Sequence, residues 1–164
     1  MIAGCMAVSN GEEIALAKLA ASKTENDKVR DFAEKMIDDH SKMLAKLERF
    51  GGHAGVAEGV ERDRNDEVLT STDRADRANT QQRSQSGFDF VNMKRQIAQE
   101  CLASAQKCWE EKKGSEADMA YIGQQLVMHQ QMLDAGKVMK QYASSDLQQV
   151  IENGMEKEKE HKEH

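Results

Sequence analysis

Not one proline interrupts this chain, although average usage of about 5% would put about eight into its 164 residues. Proline removes a backbone donor and clashes with the preceding turn, so a chain without it is free to run long unbroken helices. Its many Ala, Gln, Glu, Lys and Met residues lean the same way, because these side chains lose little freedom on a helix. The expectation is an all-α fold. A chain of 164 residues is long enough for one domain with a sizeable core.

Local signals divide the chain into five helical segments. The first runs from Ile2 to Ala21, with Ser9-Asn10-Gly11 offering a break inside it. The second starts after Thr24 or Asn26 as N-cap and ends at Phe50, where Gly51-Gly52 stops it. The third runs from Ser86 to Lys113, the fourth from Ser115 to Ala143, and the fifth opens at Ser145 with Gln148 in a capping-box position. Between them, 51–86 is polar and without a helical stripe, which reads as a long flexible linker inside a single domain spanning 1–164. His53 reads as an ordinary loop residue.

The apolar stripes carry the main anomaly. On the second segment Val29, Ala33, Met36, Met43, Leu47 and Phe50 recur at steps of three and four, with His40 standing where another apolar side chain is due. The fourth shows Met119, Ile122, Leu126, His129, Leu133 and Gly136; the fifth shows Leu147, Ile151, Gly154, Glu158 and His161. The first shows Ile2, Met6, Ser9, Glu13, Leu16 and Ala20. Four helices thus each turn a titratable side chain inward. A buried imidazole or carboxylate without partners costs several kcal/mol or shifts its ionisation, so such groups converge on one another or on a metal ion. The candidate ligands are Glu13, His40, His129, Glu158 and His161. About the turn near Ser144, His129 and His161 stand level; about the turn near Lys23, Glu13 and His40 miss by roughly six residues, or about 9 Å of helix. The expected core comprises Val29, Phe32, Met36, Leu47, Ile97, Ile122, Leu126, Leu133 and Ile151.

Two blocks, "EIALAKLAASKTENDKVRDFAEKMIDDH" and "AYIGQQLVMHQQMLDAGKVMKQYASSDLQQVIENG", resemble the exported bacterial proteins labelled domain of unknown function 4142. Positions matching the recurrent residues of that family are Glu13, Phe32, Ala33, Met36, Asp39, His40, Tyr121, Gln125, His129 and His161. Asp118 keeps the family's aspartate ahead of Tyr121, and Ala117 replaces its phenylalanine. The resemblance implies a ferritin-like antiparallel four-helix bundle, here with an additional helix, exported to the periplasm or cell envelope. It implies no biochemical activity. "MIAGC" is similar to the end of a lipoprotein signal but lacks the basic and long apolar parts of one, so it reads as the start of a mature helix.

Two functional readings follow, the first preferred and the second its alternative. In one, the chain is a non-enzymatic binding or structural module of the envelope, its inward histidines serve packing, and a protein partner or a second copy meets its surface. In the other, the bundle binds a divalent or copper ion. A di-iron centre would need Glu-x-x-His on two helices. Only Glu158-Lys159-Glu160-His161 supplies it; Ile37 and Leu126 stand where the glutamates before His40 and His129 would be. Zinc or copper held by histidines with Glu13 or Glu158 remains compatible. Met36 and Met43 flank His40 as Cu(I) ligands would, though methionine at this spacing also fills cores. A net charge of −6 disfavours nucleic acid, and no apolar run approaches the roughly 20 residues of a transmembrane helix. Cys101 and Cys108 are about 10 Å apart along one helix, too far to pair, and all three cysteines read as small buried apolar side chains. No nucleophile–base pair or phosphate-cradling glycine loop is present, which disfavours a hydrolase or transferase.

Overall fold

The computed structural model describes residues 1–55 and 89–163. The segment expected as a linker therefore lies almost wholly outside the described residues. The described chain is all-helical: α1 (Ile2–Lys23), α2 (Asp27–Glu48), α3 (Phe90–Glu110), α4 (Ser115–Lys140) and α5 (Ser145–Glu163).

Four of these form an antiparallel bundle in the cyclic order α1, α2, α5, α4. The registers are fixed by cross-helix pairs. Asn10 meets His40 between α1 and α2, Asp39 meets His161 between α2 and α5, and His129 meets His161 between α5 and α4. Thr24, just past α1, donates to Asp118 of α4 at 2.6 Å. The short connection between α1 and α2 is held by Asn26, whose side chain accepts from the Lys28 N–H and so acts as the N-cap. After α2 the chain turns through Gly51 at φ 73°, a left-handed conformation that glycine adopts without strain.

α1 is the central element, with alanine, glycine and apolar residues buried around most of its circumference. The expected break at Ser9-Asn10-Gly11 does not occur. Asn10 is fully buried inside a continuous helix, and its Nδ2 donates to the Met6 carbonyl at 2.8 Å. The small residues of α1 let a fifth helix approach from outside: α3 lies along α1 in the same direction, with Val91 in contact with Gly4. At the other end Trp109 packs edge-on against Tyr121, ring centroids 5.7 Å apart. α3 begins later than expected, with Asp89 capping it by accepting from the Asn92 N–H; Ser86 lies outside the described residues. It also ends earlier, at Glu110 rather than Lys113. At α5 the Gln148 side chain donates to the Ala143 carbonyl, in place of the capping box.

The core divides into two apolar clusters. One gathers Leu16, Ala17, Val29, Ala33, Met36, Leu102, Trp109 and Tyr121; the other gathers Ala3, Ala7, Met43, Leu47, Leu147 and Ile151. Three expected core residues are exposed instead: Ile97 (53%), Ile122 (41%) and Leu126 (51%). On α4 the buried seam is Tyr121, Gln125, His129, Leu133 and Gly136, one residue round from Ile122 and Leu126. On α3 the buried positions are Ala98, Leu102, Ala105 and Trp109, because that helix buries only the face turned to α1 and Tyr121. Cys101 and Cys108 flank that face and are exposed, contrary to expectation, while Cys5 is buried.

Candidate metal centre

Between the two apolar clusters lies a buried polar layer to which all four bundle helices contribute. His40 comes from α2, His129 from α4, and Glu158 and His161 from α5, all buried. One potential ligand atom from each of these four lies within 4.8 Å of the other three. The imidazole centroids are 5.1–5.7 Å apart. Glu13, on α1, is equally buried but does not belong to this group.

The outer nitrogen of each ring is fixed by an oxygen that can only accept. His129 Nδ1 is 2.7 Å from the Gln125 carbonyl, and His161 Nε2 is 2.9 Å from Asp39 Oδ2. His40 Nδ1 is 3.0 Å from Asn10 Oδ1, which points at the ring because the Asn10 amide nitrogen is engaged with Met6. Each ring must therefore carry its proton on the outer nitrogen when neutral, which leaves three lone pairs directed inward: His40 Nε2, His129 Nε2 and His161 Nδ1. His129 Nε2 and His161 Nδ1 are only 3.2 Å apart. Glu158 Oε2 is 3.4 Å from His129 Nε2 yet makes no hydrogen bond, and His40 Nε2 has no hydrogen-bond partner.

The electrostatics keep protons off the three imidazoles. Burial, reinforced by the charges of the neighbouring histidines, holds His40 down at about 3, far below an ordinary imidazole. Burial likewise lowers His129 to about 4, against the opposing hydrogen bond to Gln125, and lowers His161 against the pull of Asp39. Burial raises Glu158 to about 8. Asp39 behaves oppositely: burial pushes it up, but hydrogen bonds from His161 and Lys35 prevail and hold it at about 2. It is thus a fixed carboxylate behind His161, an orienting group of the kind that metal-ligating imidazoles use.

Glu13 sits one turn away along α1 in a second polar group with Tyr121 and Gln125. The Gln125 amide is near enough to steady the Glu13 carboxylate, but neither group makes a hydrogen bond of normal geometry, and the Tyr121 hydroxyl makes none. Burial and the nearby Glu158 carboxylate raise Glu13 well above an ordinary glutamate. The depth mismatch between Glu13 and His40 is resolved by Asn10, which occupies the position on α1 level with His40.

A four-helix bundle carrying one buried His3Glu constellation is the class of protein that fold and site define. The family model for the domain of unknown function DUF4142 matches residues 1–101, and the chain belongs to that family. No curated protein and no solved structure matches the chain. Among the described residues no helix is long and apolar enough to cross a membrane.

Proposed function

We propose that this protein is a metal-binding helical bundle that holds one divalent first-row ion through His40, His129, Glu158 and His161. The observation that carries the reading is the inward convergence of three imidazole lone pairs and a carboxylate, with each outer N–H committed to an acceptor. Lone pairs only 3.2 Å apart repel unless a shared proton or a metal ion lies between them, and burial disfavours the proton. A tetrahedral ion about 2.0–2.1 Å from each ligand needs ligand atoms about 3.3–3.4 Å apart. Two of the six pairs, His129–His161 at 3.2 Å and His129–Glu158 at 3.4 Å, already meet that requirement, and all six lie within 4.8 Å. Nitrogen-rich tetrahedral ligation suits zinc best, with Cu(II) the strongest competitor by intrinsic affinity. Met36 and Met43 belong to the two apolar clusters, so their sulfurs are accounted for as core.

Elemental analysis of untagged protein, followed by titration calorimetry of the chelated form with zinc, tests the reading. One ion per chain is the expected result. Failure of zinc and of Cu(II) to bind at that ratio would overturn it. The resemblance of the two sequence blocks to exported envelope proteins supports a periplasmic or envelope location, and recovery of the native protein solely from the cytoplasmic fraction would refute that part.

A further inference from the structure

The exposed residues Ile122 and Leu126 do not face open solvent alone. With Val29 and Phe32 of α2 they form the walls of a groove of about 470 Å³. Its floor is Gln125, His129 and His161, and its rim includes Lys28 and Lys162. Its size falls within the range of about 300–1,000 Å³ typical of small-molecule sites.

We infer that this groove binds a small organic anion with an apolar body, a carboxylate on an alkyl or aromatic frame. The apolar walls take the body. The two lysines of the rim select an anionic head. Lys28 and Lys162 border the same groove and neither is in an ion pair among the described residues; Lys162 Nζ donates instead to the neutral Gln130 side chain. At the floor, the Gln125 side chain is 1% exposed, with its amide beside the Glu13 carboxylate. The inference goes beyond metal binding and does not depend on it.

Calorimetric titration of the purified full chain with octanoate, and with octyltrimethylammonium of the same alkyl length, tests the inference. Octanoate should bind at one per chain and the cation at least tenfold more weakly. Leu126→Ser should weaken octanoate binding at least tenfold through the wall, and Lys28→Glu through the rim, with both variants keeping the wild-type circular dichroism and zinc stoichiometry. Equal binding of the two amphiphiles would overturn the inference, as would octanoate binding unaffected by both substitutions. A wild-type dimer in sedimentation that Leu126→Ser dissociates would also overturn it, by assigning the groove to a second copy of the chain.

Discussion

Replacing His40 by leucine separates a ligand from a packing residue, because the two roles predict different responses to metal. A ligand that binds only the native state at one hundred times its dissociation constant stabilises it by about 2.7 kcal/mol. For a domain of this size each kcal/mol moves the melting temperature by about 2–4 °C, so saturating zinc should raise that of the chelated wild type by roughly 5–11 °C. In the metal-free state the substitution removes the 3.0 Å hydrogen bond to Asn10 and leaves Asn10 Oδ1 buried and unpaired. That costs about 1–3 kcal/mol, partly offset by loss of the unpartnered His40 Nε2. The metal-free variant should therefore melt at or modestly below the metal-free wild type. Its zinc-induced rise should vanish or fall to a small remnant. The assay is a thermal melt of both proteins with chelator and with added zinc, read by circular dichroism. A wild type insensitive to zinc, or a His40→Leu variant that keeps the full rise, would refute the assignment.

The pH dependence of the metal-free protein has a definite sign. Burial depresses His40 to about 3 and His129 to about 4 from 6.5, so the unfolded chain holds more protons in that window and stability rises with pH up to about 6.5. Glu158 is raised from 4.5 to about 8, so the native state holds the extra proton and stability falls as pH climbs through that range. Above 6.5 the carboxyl effect alone remains, so metal-free melting temperatures should decline between pH 6.5 and 8 while zinc-loaded ones do not; parallel curves would contradict this. Asp39→Asn keeps an acceptor for His161 but removes its charge, and should weaken zinc affinity about 10–100-fold in a competition titration. Gly52→Ala would set a Cβ 2.7 Å from the Ala3 carbonyl oxygen and 3.0 Å from that of Leu47, both backbone atoms. It should cost about 1–3 kcal/mol in urea unfolding, with zinc stoichiometry unchanged.

Much of this arrangement is legible in the sequence, for a physical reason. A histidine interrupting an apolar stripe is visible at His40 and His129, because helical phase alone tells which way a side chain points. Phase is less secure where the stripe is mixed. On α4 an alternation of three and four steps selects Ile122 and Leu126, whereas the buried seam advances by fours through Tyr121, Gln125, His129 and Leu133. Side chains with polar tips take the inward positions, and the apolar ones line the groove. Asn10 is misread as a helix breaker, since local propensity says nothing about a partner across the bundle. Counting would have found it: Asn10 and His40 stand equally far on either side of Glu25, in the connection between their helices. Asp39 is seen as a family position, but its role behind His161 depends on a contact between α2 and α5 that no spacing within one helix reveals.

The placement of the polar layer bears on whether the proposed metal ion would fold this protein or be received by it. Small zinc domains lack a core of their own and unfold without the ion. Here the four proposed ligands lie between two apolar clusters that involve all four bundle helices and α3, including the fully buried Leu16, Met36, Leu47 and Ile151. Both clusters are built without the polar layer, and an ion at one hundred to one thousand times its dissociation constant would add roughly 2.7–4.1 kcal/mol to what they supply. The bundle should accordingly be assembled before the ion enters. Chelation should lower the melting temperature yet leave the helical circular dichroism at 25 °C and the cooperativity of the melt unchanged. Loss of helicity on chelation at 25 °C would show instead that the two clusters cannot hold the bundle around its polar layer, and that the ion is part of the fold.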